Sequence, residues 1–557
     1  MSDAARKAVF TTHEVLNQPP PFEDVNLFDG DLALGEALRR EGGDWAWAEA
    51  SRFGARCGSA ETRELARLAN RHEPELKLFD RFGHRIDEVE FHPAYHRLMQ
   101  TGIGAGCSAL AWDAGRDGAH VARAARFYLH NLAENGTACP ITMTHAALPA
   151  LENQPELAAE WRPAILSRDY DPRSLPVAEK AGATIGMAMT EKQGGSDVRA
   201  NSTRAERVAA GGPGGEYLLT GHKWFCSAPM CDAFLTLAHT EQGLSCFLVP
   251  RWLPDGNRNR FLIQRLKDKL GNRSNASSEI EYDRTWCRMI GEEGRGVATI
   301  INMVHHTRLD CIIGSAAIMR GAVAEALHHT AYRSAFQRHL IEQPLMRNVL
   351  ADLALEQEAA VQLFMRLARA YDQGTAAGPE RLFARIATAV GKYWVCKRTP
   401  AVANEALECL GGAGYVEEGP MARLYREAPL NAIWEGSGNV ICLDVLRAIQ
   451  REPESLEVLL GEIASAAGAD RRFDAALAAL KEEFADLAGL EGRARRVVER
   501  LAVTLQASLL IRNGPPAVAD GFVASRLSGD GGALFGSLPP GLDIDAIVER
   551  ARPQAVD

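Results

Sequence analysis

The sequence predicts an α+β chain that is mostly helix: a helical domain first, a compact β domain in the middle, a helical bundle after it, and a further helical domain appended at the end. Three observations carry that order. Apolar residues fall at helical spacing over much of the first 180 residues. Short runs rich in β-branched and aromatic residues replace them from about Ala181, and helical spacing returns at Gly296 and persists. At 557 residues the chain is too long for one ordinary domain. The boundaries fall at 1–180, 181–294, 295–451 and 452–557.

The first domain opens on a loop, Asn17-Gln-Pro19-Pro20-Pro21, where three prolines fix φ and remove donors. Asp29-Gly-Asp31 is placed to cap a helix from Leu32 to Arg40. Leu65, Leu68, Ala69 and His72 then recur at i, i+3, i+4 and i+7, which makes His72 a helix-face residue rather than a ligand. The helical pattern of 92–134 is broken by Gly102-Ile-Gly104-Ala-Gly106, a cluster that imitates a dinucleotide loop. With no strand expected before it and no β-α-β unit around it, a nucleotide role is not expected. In the second domain the strand-like runs are 217–223, 233–238, 245–249 and 279–282, separated by turns such as Gly211-Gly-Pro-Gly-Gly215. The helical stretch after this domain contains His305-His306 and His328-His329. Adjacent residues point to different faces of a helix, so no metal site is expected.

Composition excludes several function classes. Hydrophobic residues at 46% and charged residues at 24% are those of a packed globular chain. A net charge of −10 and pI near 5.9 argue against a surface that is basic throughout, although a local basic patch remains compatible. Eleven cysteines without a C-x-x-C pair, behind a start lacking an apolar leader, predict reduced thiols and a cytoplasmic location. No run approaches 18 apolar residues, so no membrane span is expected.

The stretch Asn431-Ala-Ile-Trp434-Glu435-Gly-Ser437-Gly-Asn439 sets a carboxylate on a turn directly ahead of an apolar helix. A carboxylate held against an apolar cavity loses solvation of its charged form, and its pKa rises toward the range useful for proton transfer. The alternative is an early-turn acid favoured by the helix dipole. Upstream stand Met189-Thr190-Glu191 with Gly195-Ser196-Asp197, then Gly221-His-Lys223-Trp224-Phe225-Cys226-Ser227, then Glu408-Cys-Leu-Gly411-Gly412 and Arg423-Leu-Tyr-Arg426. In this order the blocks resemble the acyl-CoA dehydrogenase family of flavoproteins.

That resemblance implies FAD, an acyl-CoA substrate, and Glu435 as the base that removes the α-proton while a hydride leaves the β-carbon for the flavin. It assigns Met189, Thr190, Ser196, Phe225, Cys226, Ser227, Trp434, Ser437 and Asn439 to the cofactor, and places Arg308 close to the active site. Tyr332-Arg333-Ser-Ala-Phe336 looks like the family segment whose arginine reaches a neighbouring subunit's cofactor, with Gln337 where a glycine is usual. Arg333, Phe336 and Gly412 are therefore cofactor residues across a homotetramer. Pro344 and Glu408 stand where the family often has glutamine. Nitroalkane oxidation on the same scaffold uses an aspartate base, and Glu435 argues against it. The acyl-chain length and the electron acceptor are left open, with weak turnover of a short branched, isovaleryl-CoA-like thioester as one expectation.

The long N-terminal arm, the Glu342-Gln-Pro-Leu-Met-Arg347 segment and the Cys442-Leu-Asp-Val-Leu-Arg447 run are similar to a branch of the family implicated in protecting DNA from alkylation. That similarity adds a second expectation, contact with double-stranded DNA. In the appended domain Phe473, Leu477, Leu480, Phe484 and Leu487 form a helical seam, and Arg493, Arg496 and Arg500 share one helix face at i, i+3 and i+7. Such a row suits DNA phosphates. Against it, residues 451–557 hold 12 Lys/Arg and 17 Asp/Glu, a balance of −5, and a solvated, ion-paired face is the alternative.

Overall fold

A computed structural model describes residues 12–374, 378–485 and 489–553. The N-terminal part holds α1 (Leu32–Arg40), α2 (Trp47–Cys57), α3 (Ala60–Arg71), the antiparallel hairpin β1 (Glu75–Phe79) and β2 (Arg85–Glu90), α4 (Pro93–Gly104), the short α5 (Leu110–Asp113), α6 (Ala119–Ala133), α7 (Ala138–Leu151) and α8 (Pro155–Ile165). Asp31 caps α1 as expected: its carboxylate accepts from the Leu34 amide at 3.1 Å and from the Tyr128 hydroxyl at 2.9 Å. A cap of this kind contributes about 1 kcal/mol. The hairpin corrects the expectation that no strand precedes the Gly102–Gly106 cluster. Among the described residues its two strands pair only with each other, in an antiparallel ladder, and form no β-α-β unit.

The middle part is a seven-stranded sheet of β3 (Ile185–Ala188), β4 (Arg204–Arg207), β5 (Glu216–Ser227), β6 (Ala233–Thr240), β7 (Gly243–Pro250), β8 (Phe261–Leu266) and β9 (Ser277–Ile290). The strand order is β3-β6-β4-β5-β9-β7, and an extra β6–β7 pairing closes it into a small barrel. The strand-like runs expected from the sequence are β5, β6, β7 and the middle of β9. Strands β3, β4 and β8 are short and lack clean alternation, so periodicity does not announce them.

The ladder between β5 and β9 is irregular from Lys223 to Cys226. Lys223 and Cys226 are buried while Phe225 between them is 48% exposed, so inward residues are three apart where a regular strand would put them two apart. The irregularity turns Phe225 outward. It also sends the Trp224 amide to the Thr190 carbonyl, at 2.8 Å.

Helix α9 (Gly296–Tyr332) is the spine of the C-terminal bundle, with β10 (Ser334–Ala335), β11 (Arg338–His339), α10 (Pro344–Gln373), α11 (Pro379–Cys409), α12 (Met421–Glu427) and α13 (Gly438–Arg451) packed beyond it. At 37 residues α9 is long and apolar enough to cross a membrane, against the expectation that no stretch would be. Most of its apolar window is buried inside the protein, and a core helix accounts for it. The appended part holds α14 (Glu454–Ala464), α15 (Arg471–Glu482), α16 (Leu490–Asn513), α17 (Pro516–Arg526) and α18 (Ile544–Ala551). Phe473, Leu477 and Leu480 are buried along α15, but the helix ends at Glu482. Phe484 therefore packs from the turn after it, and Leu487 lies outside the described residues.

Candidate active site

Glu435 sits on the turn between a short 3-10 segment, Leu430–Ala432, and α13. Its φ is 59° and that of Gly436 is 108°, so two consecutive residues are left-handed. For a residue with a Cβ this costs roughly 1–3 kcal/mol, which surrounding contacts must offset. Two buried cations supply them. Lys392 of α11 donates to the Trp434 carbonyl at 2.8 Å and to the Gly436 carbonyl, and Arg308 of α9 donates through Nε to the Glu435 carbonyl at 3.0 Å. Three consecutive carbonyls are thus gripped from two helices.

Arg308 is itself fixed. Its Nη1 lies 2.7 Å from Asp444 on α13, and Arg385 of α11 donates to both oxygens of the same carboxylate at 3.0 and 3.1 Å. Burial pushes the Asp444 carboxyl up, but the two guanidinium groups outweigh it and hold the group below the usual range. On the Glu435 side chain, Oε2 accepts from the Thr307 hydroxyl at 2.7 Å. Burial raises the Glu435 pKa; Thr307, Arg308 and Lys392 offset only part of that rise. A carboxyl raised by desolvation and held by one hydroxyl is arranged to take up a proton.

The strand end lies on the β-domain side. Burial pushes the Cys139 thiol up to about 12, and that group interacts with Ser227, Asn275 and the Glu435 charge, which draws the α7 start, the β5 end and the Glu435 turn into one neighbourhood. The Met189–Ser196 loop is anchored from beneath. Lys223 donates to Glu191 at 2.9 Å, and the Ser202 and Thr203 amides and hydroxyls donate to the same carboxylate. Burial raises Glu191, yet Lys223 and these donors prevail and keep it ionised. Glu191 therefore holds the loop in place; Met189 and Thr190 are partly buried, Met189 against the β-domain core, and Ser196 is exposed.

Cys226 departs from expectation. Its side chain is fully buried within the sheet, opposite to Phe225, and burial raises its thiol to about 12, so only its backbone can face a cofactor. Asn439 is exposed, and its Oδ1 already accepts from Arg495 of α16 at 2.7 Å. Ser437 is the exposed N-cap of α13, and Trp434 donates through its indole to Asn431 at 2.8 Å. Arg333, Phe336 and Gly412 do not join Glu435 within the chain. From Arg308 to Arg333 α9 runs 25 residues, about 37 Å at 1.5 Å per residue. Arg333 donates to the Asn17 carbonyl at 2.6 Å, and Phe336 stands 94% exposed at a two-residue turn where both it and Gln337 are left-handed. That turn is why glycine is the easier residue at 337. Gly412 lies exposed beyond the end of α11.

Arg493, Arg496 and Arg500 do not form an open row. All three converge on the buried Glu483, at 3.2, 3.1 and 2.5 Å. Lys392, Thr307, Asn275 and Asp444 join the site although no motif singles them out. A lysine inside the apolar run Ala387-Thr-Ala-Val-Gly-Lys392-Tyr is the legible sign, because a cation there must find buried acceptors. A cavity of about 870 Å³ is lined by Pro19–Phe22 of the arm, Arg63, Arg67 and Arg423 at the opposite end of α9, and Glu435 is not among its walls. The candidate site is the Glu435 turn, where a desolvated carboxyl is held.

Residues 17–172 match the adaptive response protein AidB N-terminal domain, 186–285 the acyl-CoA dehydrogenase middle domain, and 294–450 the acyl-CoA dehydrogenase C-terminal domain. AidB of Escherichia coli (strain K12) is 46% identical over 523 residues, spanning 94% of this chain and 95% of that protein. The chain belongs to the acyl-CoA dehydrogenase family. Within it, acyl-CoA dehydrogenase family member 11 of Caenorhabditis elegans is 32% identical over 421 residues, covering 72% of this chain and 66% of the relative. Among solved structures, C. elegans ACDH-11 in complex with C11-CoA superposes with a TM-score of 0.82 at 26% identity, over 100% of this chain and 95% of that one. The apo form of Bd2924 gives 0.80 at 28%, over 91% and 99%.

Members of this family bind FAD, and the residues present fit it. Asn275 is buried against the Cys139 thiol, and apart from that weak contact neither its amide nitrogen nor its oxygen is partnered among the described residues. An orphaned amide of that kind calls for a polar ligand. Phe225 offers an exposed ring, and Lys267 lies 3.2 Å above the Trp224 ring next to it. At Gly195 an added Cβ would come within 2.4 Å of the Thr190 hydroxyl oxygen, so the loop stays thin where a cofactor approaches.

Proposed function

We propose that the chain is an FAD-dependent acyl-CoA dehydrogenase in which Glu435 removes the α-proton of a short branched thioester. The observation that carries this reading is the Glu435 turn: a desolvated carboxyl in a strained, doubly gripped backbone. Met189, Thr190, Ser196, Phe225 and Ser227, with the Trp434 turn, would hold the flavin, and FAD supplies the acceptor for the hydride that leaves Cβ. The protein's own part is to fix the base. Arg308 and Lys392 hold the Glu435 backbone, and Thr307 steers its Oε2. Thr307 has a single hydroxyl proton and also lies 3.1 Å from the Val304 carbonyl. It can donate to the carboxylate before proton transfer and turn to Val304 after it, accepting from the protonated acid.

The exposed Phe336 tip and the distance of Arg333 from Glu435 support a homotetramer in which these residues serve a neighbour's cofactor. The purified protein is expected to be yellow, with about one FAD per chain in a tetramer by light scattering, and isovaleryl-CoA should bleach the flavin band without oxygen. A colourless protein that takes up no FAD on reconstitution sinks this reading.

A second reading, sequence-independent contact with double-stranded DNA, is supported by position: Arg493, Arg496 and Arg500 lie at i, i+3 and i+7 on α16, and the Arg496 side chain is 64% exposed. Changing Arg493, Arg496 and Arg500 to Ala should weaken a low-salt gel shift and flatten its salt dependence. No shift with the intact protein leaves the dehydrogenase reading alone.

A further inference from the structure

Helices α6, α7 and α9 carry three histidines that proton abstraction does not use, and the fold brings them to one point. His120, His145 and His306 each offer a ring nitrogen, and these atoms lie within 4.8 Å of one another. Ring centroids are 5.9 Å apart for His120 and His145, 5.7 Å for His120 and His306, and 5.5 Å for His145 and His306. Adjacent histidines on one helix diverge. These three come from three helices, and spacing along the chain does not show them.

Two observations point beyond aromatic packing. Nδ1 of His306 is buried without a hydrogen-bond partner among the described residues. Nδ1 of His145 lies 3.2 Å from the Ser108 carbonyl, which only accepts, so the proton is on Nδ1 and Nε2 carries a free lone pair. Metal-ligating histidines are commonly oriented in this way by the ring nitrogen that does not bind.

We propose that His120, His145 and His306 form a binding site for a divalent transition-metal ion of the Zn²⁺ class. A triangle of the observed size has its centre about 2.8 Å from each corner, and Zn–N bonds are about 2.0–2.1 Å, so closure takes about 0.7 Å per ring. Burial holds all three imidazoles in the neutral form that binds metal, with Arg123 adding to the effect. Arg123 is paired with Asp310, at 2.7 Å through Nη2, so the ion does not face a bare guanidinium. The Tyr371 hydroxyl is committed to the His305 carbonyl at 3.0 Å, which leaves the fourth position to water. His306, Trp112 and Tyr371 are half-buried and give the ion a way in. The site stands on geometry separate from Glu435. His306 nevertheless directly precedes Thr307, so an ion bound there draws on the helix that steers the base.

The test is titration of chelator-stripped, full-length protein with Zn²⁺ alone, read by calorimetry and elemental analysis. About one ion per chain is expected, with affinity falling more than about 100-fold in His120→Phe and in His306→Gln, since even outer partners of a metal site cost 10–100-fold. His239→Gln, in the β domain, should bind as the parent does. Co²⁺ in place of Zn²⁺ should give the visible bands of a four-coordinate nitrogen site. Because His306 is only partly buried, His306→Gln keeps the test open should His120→Phe fail to fold. No stoichiometric binding, or binding undiminished in both variants, overturns the site and leaves the three rings as packing.

Discussion

The Glu435→Gln variant is expected to fold and take up flavin as the parent does, and to lose about 10²–10⁴-fold in the rate of flavin reduction by an acyl-CoA, the range a general base supplies. The amide keeps the shape of the side chain and its contact with Thr307, so the loss isolates the proton transfer. In the parent the rate should climb with pH as the raised carboxyl gives up its proton, whereas the variant should be flat over the same window. Stability runs the other way. A carboxyl whose folded pKa lies above its unfolded value stabilises the fold fully at pH below the unfolded pKa, and that contribution is lost as pH rises through the folded one. The variant should therefore match the parent in acid and equal or exceed it at higher pH. Anaerobic stopped-flow bleaching decides the first point and denaturant melts the second. A variant that keeps the parent's rate puts the base elsewhere.

Lys392→Met should cost about 2–6 kcal/mol of stability, since two buried carbonyls each lose a donor at about 1–3 kcal/mol. Lys392 is 1% exposed, and its ammonium is spent on the Trp434 and Gly436 carbonyls that flank the left-handed residue. Methionine fills the same volume but leaves both acceptors without that donor. If the lysine also positions the base, kcat should fall well beyond KM at temperatures where the variant is fully folded. A variant that melts like the parent would show that the turn holds itself. One that loses stability with kcat intact would confine Lys392 to a structural role.

The order of helices, barrel and bundle is legible because hydrophobic period changes character twice along the chain, and Asp31 and the Glu435 turn are legible because each is local. What escapes is made by distant residues. The ion pairs of Asp444 with Arg308 and Arg385 join positions 136 and 59 residues apart, and no spacing rule links them. The inward turn of Cys226 depends on an irregular ladder that only its partner strand β9 defines. The arginine row in α16 does share one face, but its common acid, Glu483, lies in the turn before that helix, where nothing in the spacing marks it as their partner. Each miss comes from taking an element without the surface packed against it.

Leu459, Phe473 and Leu501 of the appended helices occupy the same continuous core as Ile312, Leu353 and Phe383. Arg495 reaches from α16 to Asn439 at the first turn of α13, two residues beyond the Ser437 N-cap. The change of texture near Arg451 is therefore not a cut site. A fragment ending there would bare the flanks of α10, α11 and α13 to water and take a hand off the helix behind the base. What reads as an accessory in one dimension forms, in three, one wall of a common core, so its outer surface could change far more freely than its inner one.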